Sequence, residues 1–298
     1  MYRTLITPEQ LQDLQAQGQQ VMVFDCSFDL MQPSAGAQQF EQAHIPGAVY
    51  ANLNTDLSAH KEGAGSHGSS TAGGADRPSS GGRHPLPNRE RFALWLSSVG
   101  LSNTMQAVAY DRQGCNYCGR LWWMLKWAGH EAVAVLDGGL QGWQAAGGQL
   151  AHGSAAVHVQ SSFKLGPSLA RSVSVEEVEQ GLQGAQQTVV DARVPARFRG
   201  EVEPLDPVAG RIPGALNRPF AQNLGPDGRF KPAEQLRLEF EQLLGTRNPA
   251  GVVHQCGSGV SALPNLLAME IAGLGGSGLF AGSWSEWCSD ARRPVAKG

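Results

Sequence analysis

The segment His254-Gln255-Cys256-Gly257-Ser258-Gly259-Val260-Ser261-Ala262 brings a nucleophile to the end of an apolar run. Two glycines follow the cysteine within three residues, and a helical-looking stretch then opens. Gly257 and Gly259 let the backbone curl so that successive N–H groups point inward, which makes an anion-binding nest. The helix that follows adds its positive N-terminal end, and Pro264 suits a first helical turn. A cysteine at the rim of such a cup is expected to be a thiolate near neutrality. The same cup would stabilise an anionic covalent intermediate on its sulfur. Phosphoester chemistry on a cup of this kind needs Cys-x5-Arg, the arginine clamping the phosphoryl group. Ala262 holds that place.

Cys115-Asn116-Tyr117-Cys118 is a lone C-x-x-C without two further ligands at zinc spacing. It reads either as a redox dithiol or as two incidental cysteines. Five cysteines form an odd set without the density of a disulfide scaffold, so a reducing, cytoplasmic setting is expected. With 23 basic against 26 acidic residues, and no basic run interleaved with aromatics, nucleic acid is not an expected partner. A membrane is not expected either, because no run of about eighteen apolar residues occurs and the first residues lack a signal-peptide core.

The elements that must position Cys256 are legible from an internal repeat. Val23-Phe24-Asp25 followed by His44-Ile45-Pro46-Gly47-Ala48 is matched by Val189-Val190-Asp191 followed by Arg211-Ile212-Pro213-Gly214-Ala215. Ala107-Val108-Ala109-Tyr110-Asp111 matches Gly251-Val252-Val253-His254-Gln255-Cys256, so Asp111 stands where the second half has its cysteine. Both halves close alike, on Asp137-Gly138-Gly139-Leu140-Gln141-Gly142-Trp143 and on Ala281-Gly282-Ser283-Trp284-Ser285-Glu286-Trp287. Short β-branched runs alternating with amphipathic segments indicate an α/β fold of two tandem domains, 1–150 and 165–298, each a mostly parallel sheet of about five strands flanked by helices. Trp122, Trp123 and Trp127 fall at helical spacing and are expected in the core. Lys61 to Asn88, rich in Gly, Ser and Pro, reads as a mobile insertion without a role.

Cys-Gly-Ser-Gly-Val-Ser, the doubled Ile-Pro-Gly-Ala, Asp191-Ala192-Arg193 with Arg197-Phe198-Arg199-Gly200, and Gly-Ser-Trp-Ser-Glu-Trp together resemble the tandem-domain rhodaneses and 3-mercaptopyruvate sulfurtransferases. The resemblance covers nearly the whole chain. It implies two rhodanese-like domains, the first an inert copy that walls the site. It also implies a sulfurtransferase that moves sulfur from a small anionic donor, 3-mercaptopyruvate or thiosulfate, through a persulfide on Cys256. The acceptor would be a thiol, cyanide or a thioredoxin-like protein, with no metal or organic cofactor. The competing reading is a non-catalytic rhodanese-like module for binding or sulfur sensing.

Gly257, Gly259, Val260 and Ser261 are the implied donor-binding loop, in the form seen in mercaptopyruvate-preferring members. Arg197 matches an arginine that holds the donor's anionic group; its alternative is an ion pair with Asp191 or Glu201. The second such arginine is replaced by Leu205, which leaves thiosulfate open, and Arg211 is a candidate for the missing charge. Ser258 and His44 are the implied proton relay. Ser258 could instead bond only backbone, and His44 could instead brace the turn before Ile45-Pro46. Tyr117 and Arg120 either line the cleft or pack.

Overall fold

The structure, a computed structural model, describes residues 1–59, 77–182, 184 and 187–298. The first half builds a parallel sheet from β1 (Leu5–Ile6), β2 (Val21–Asp25), β3 (Val49–Tyr50), β4 (Gln106–Tyr110) and β5 (Val133–Leu136), in the order β1-β5-β4-β2-β3. Between and after these strands run helices α1 (Pro8–Ala16), α2 (Ala35–Gln42), α3 (Arg89–Ser98), α4 (Cys118–Trp127) and α5 (Gly139–Ala145). The second half repeats the plan with β6 (Arg171–Ser172), β7 (Thr188–Asp191), β8 (Leu216–Asn217), β9 (Val252–Gln255) and β10 (Gly278–Leu279), in the order β6-β10-β9-β7-β8. Its helices are α6 (Val175–Gly181), α7 (Pro195–Phe198), α8 (Ala233–Leu244), α9 (Leu263–Ile271) and α10 (Ser283–Trp287).

Local chemistry sets the element ends. Thr7 and Gln10 close a capping box on α1, with Pro8 in its first turn, and Ser174 with Glu177 does the same for α6. The central strands β4 and β9 are buried along their whole length, as strands covered on both faces must be. The three tryptophans of α4 are buried, as their spacing predicts.

The two halves share one core. Phe24, Trp123 and Leu125 from the first belong to the same buried cluster as Leu263, Leu266 and Met269 from the second. Helices α4 and α9 meet there, close enough that a Cβ on Gly119 would lie 3.1 Å from Cβ of Leu263. Lys126 and Glu270 pair across the same seam. The connection between the halves lies against α3, where Ser161 N–H donates to the Ser97 carbonyl and Arg89 donates to the Gly166 carbonyl.

The chain leaves β7 toward β8 on one side, then returns to form β9 on the other. Open parallel sheets bind ligands beyond the carboxyl ends of their strands at such a switch point. Ala192 follows β7 there and Cys256 follows β9, joined by Ala192 N–H to Gln255 O at 2.9 Å.

His254, the residue of β9 two before Cys256, is fully buried, and neither ring nitrogen has a hydrogen-bond partner among the described residues. Burial first, and the charge of Arg218 second, push its pKa down to about 3. In the unfolded chain it titrates near 6.5. The unfolded state therefore binds the extra proton between those values, so stability is full above about pH 6.5 and falls as pH drops. Urea melts of the native protein should lose up to about 1.4 kcal/mol per pH unit below pH 6 from this residue. His254→Leu should flatten that slope; an unchanged slope would remove the assignment.

Candidate active site

Cys256 is 2% exposed and lies at the floor of a cavity of about 170 Å³. Its N–H donates to Oγ of Ser283 at 3.0 Å, and the Val260 N–H donates to its Sγ at 3.3 Å. Helix α10 holds the loop from behind: Trp284 N–H binds the Cys256 carbonyl at 3.0 Å and Ser285 N–H binds the Gly257 carbonyl at 2.9 Å. With those carbonyls turned to α10, the N–H groups of Gly257, Ser258, Gly259 and Ser261 have no acceptor among the described residues. That is the donor set a nest offers an anion. Gly259 makes the curl possible. Its φ is +72°, and a Cβ there would lie 2.1 Å from the carbonyl oxygen of Ala281.

The first half holds the same turn in a filled form. The Asp111 carboxylate, at the end of β4, accepts N–H groups from Gln113, Cys115, Tyr117 and Cys118 at 2.8–3.0 Å. Burial raises its pKa in spite of those four donors. Cys115 and Cys118 are buried beside it, outside the lining of the cavity, and burial raises the pKa of Cys118 further.

Of the expected site residues, Cys256, Gly257, Ser258, Val260, Ser261 and Arg197 line the cavity, together with Tyr117. Gly259 shapes the loop without lining it. Arg197 pairs with Glu203 (2.6 Å) and Asp206 (3.3 Å), rather than with Asp191 or Glu201. Asp191 is taken by Arg193 and Glu201 by Arg199.

Two expected residues lie elsewhere. His44 gives Nδ1 to the Phe40 carbonyl at 2.7 Å, stacks on the Phe40 ring at 3.9 Å and pairs through its backbone with Ala151. It braces the turn before Ile45, and Ser258 finds its histidine in His84, whose Nδ1 lies 2.8 Å from Oγ of Ser258. Arg211 bonds the carbonyl of Gly298 and caps the Phe198 ring at 4.7 Å, outside the cavity lining. Arg83 lines the cavity instead.

Both residues that sequence reasoning missed belong to the Gly/Ser-rich stretch. Its residues 61–76 lie outside the described ones, but 77–88 dock on the second half instead of standing off as an idle insertion. Gly81 N–H binds Glu286 at 3.2 Å and Arg83 N–H binds Oγ of Ser285 at 2.9 Å. Gly82 approaches Gly282 so closely that a Cβ would lie 2.5 Å from its carbonyl oxygen. Arg83 then pairs with Asp206 at 2.8 Å. Nη2 of Arg83 and both terminal nitrogens of Arg197 lie 3.3–3.6 Å from where a Cβ on Gly257 would be. Two guanidinium groups, one from each half, therefore meet over Gly257 in the lining of the cavity that holds Cys256.

The chain matches the family model for the rhodanese-like domain twice, over residues 7–146 and 174–290. It is 43% identical over 279 residues to a probable 3-mercaptopyruvate sulfurtransferase of Pseudomonas aeruginosa, covering 93% of each chain. It is 36% identical to a putative thiosulfate sulfurtransferase of Mycobacterium tuberculosis, covering 99% of this chain and 98% of that one. Among solved structures, the 3-mercaptopyruvate sulfurtransferase SseA of Escherichia coli superposes with a TM-score of 0.77 at 27% identity, over 96% of this chain and all of that one.

The two glycines of the loop should respond differently to a methyl group. Gly259→Ala adds a left-handed non-glycine residue and a clash with backbone, and should cost roughly 3 kcal/mol or more in thermal or urea melts. Gly257→Ala meets only the ends of two arginine side chains, so its melt should stay within about 1 kcal/mol of the parent. Equal melts for the two variants would contradict this account of the loop.

Proposed function

We propose, for a chain that belongs to the rhodanese-like domain family and is a sulfurtransferase, that Cys256 takes a sulfur atom from 3-mercaptopyruvate and carries it as a persulfide to a thiol-class acceptor. The observation that carries this reading is the meeting of Arg83 and Arg197 over Gly257, beside a cysteine whose loop offers unused N–H donors. The cavity, well below the roughly 300 Å³ of drug-sized sites, suits a small acid.

The donor's carboxylate would sit between the two guanidinium groups and its thiol sulfur would face Cys256. Attack of the Cys256 thiolate on that sulfur forms the S–S bond. The C–S bond then breaks, its electron pair leaving on carbon as the enolate of pyruvate. The donor's thiol proton passes from sulfur to that carbon, with the Ser258–His84 pair as the route within reach, which gives pyruvate and leaves the persulfide anionic. The N–H groups of the loop and the Val260 N–H hold the negative charge of the persulfide. A thiolate of a small thiol or a thioredoxin-like protein, or cyanide, then attacks the outer sulfur and restores Cys256.

Thiosulfate, named for the Mycobacterium relative, is the second reading. The charge balance favours the first. Arg83, Arg193 and Arg197 are matched by Asp191, Glu203 and Asp206, so these three arginines hold no surplus for a dianion. A single carboxylate gains from the fork geometry of guanidinium groups without needing that surplus. A non-catalytic binding module would have no use for the Ser258–His84 pair.

Cys256→Ser should abolish transfer with either donor, while Cys115→Ser should keep most of it. Arg83→Ala and Arg197→Ala should each raise the KM for mercaptopyruvate about tenfold or more, by loss of a charge-assisted bond shared by ground and transition states. His84→Ala should lower kcat at least about a hundredfold, and His44→Ala should leave it intact. In the unmodified protein kcat/KM should be higher for mercaptopyruvate; a higher value for thiosulfate would overturn the choice of donor.

A further inference from the structure

The guanidinium of Arg120 is 0% exposed, yet it forms no ion pair with a carboxylate among the described residues. Every hydrogen-bond partner it has among the described residues is a backbone carbonyl. Nε and Nη2 reach Leu57 O at 3.3 and 3.2 Å, Nη2 reaches His84 O at 3.0 Å, and Nη1 reaches Gly259 O at 3.1 Å. An isolated cation in a protein interior is costly, and such groups are normally paired or neutralised. Arg120 projects from α4, a helix of the half in which Asp111 stands where the other half has Cys256. It therefore reaches out of the first half and grips the loop of Cys256 and the segment carrying His84 at once.

We propose that Arg120 is a positioning residue for sulfur transfer: its buried charge is the counter-ion of the anionic sulfur on Cys256, and its fork sets the Cys256 loop and the His84 segment in register. This rests on the reading that Cys256 carries the sulfur. The electrostatics agree with the geometry. Burial lowers the pKa of Arg120 to about 10, and the opposing influence is the negative charge of Cys256. The device also gives a reason for keeping the first half: it supplies a cation that holds the Cys256 loop through the Gly259 carbonyl.

Two variants separate charge from hydrogen bonding. Arg120→Gln keeps a donor for the carbonyls and removes the charge, whereas Arg120→Lys keeps the charge and loses the fork. Iodoacetamide labelling of Cys256 at pH 7, read by peptide mapping, is compared with kcat and KM for mercaptopyruvate. Arg120→Gln should label about tenfold more slowly and lose roughly a hundredfold in kcat, with KM near the parent's. Arg120→Lys should recover most of the labelling rate and part of kcat. Parental labelling and kcat in a folded Arg120→Gln protein would overturn the proposal. So would losses in Arg120→Lys equal to those in Arg120→Gln. If Arg120→Gln does not fold, Arg120→Lys decides alone, support requiring a labelling rate near the parent's. Failure of the parent to transfer sulfur through Cys256 would remove the functional reading, while the effect of Arg120 on labelling would still be read.

Discussion

A row of backbone N–H groups at the end of a central strand needs an anion, and both halves of this protein are built around that need. In the first half the Asp111 carboxylate fills the turn after β4 and accepts four of those groups. In the second half Cys256 stands in the same place, its Sγ takes the Val260 N–H, and other donors of the loop stay unused. The difference is chemical more than architectural. A carboxylate is a permanent anion and closes the turn, whereas a thiolate can exchange its outer partner and so leaves the turn open for a donor.

An open turn must be held by something other than its ligand. Helix α10 fixes the loop carbonyls from behind, Gly259 takes the left-handed corner against Ala281, and Ser283 receives the Cys256 N–H. The first half adds further holds, through Arg83 and His84 on one segment and Arg120 on α4. A core continuous across α4 and α9 makes that arrangement rigid, because shifting either half would disturb packed side chains such as Leu263 against Gly119.

Much of this was legible in the residues. The repeat, the parallel sheets, the buried tryptophans and the cysteine cup follow from β-branched runs, glycine spacing and the equivalence of Asp111 and Cys256. What stayed hidden depends on contacts between the halves, to which local periodicity is blind. The Gly/Ser-rich composition of Lys61 to Asn88 signals a solvated insertion, and that signal outweighed Arg83-His84-Pro85-Leu86-Pro87, a charged and apolar run that need not sit in an idle loop. The resemblance implies a histidine beside Ser258, but His44 precedes Ile-Pro-Gly, and that position is a turn in both halves. Its counterpart Arg211 also caps a neighbouring ring there and lies outside the lining of the Cys256 cavity. Leu205 stands where the resemblance implies a second arginine, and only the fold reveals that Arg83 of the other half lies in the same cavity lining.

The account depends most directly on where sulfur resides between the two half-reactions. The native protein, incubated with 3-mercaptopyruvate and freed of excess donor, should gain the mass of one sulfur atom. Brief treatment with cyanide should remove it, and peptide mapping before that treatment should locate it on Cys256. A protein that gains no sulfur, or gains it on Cys115 or Cys118, would contradict the account.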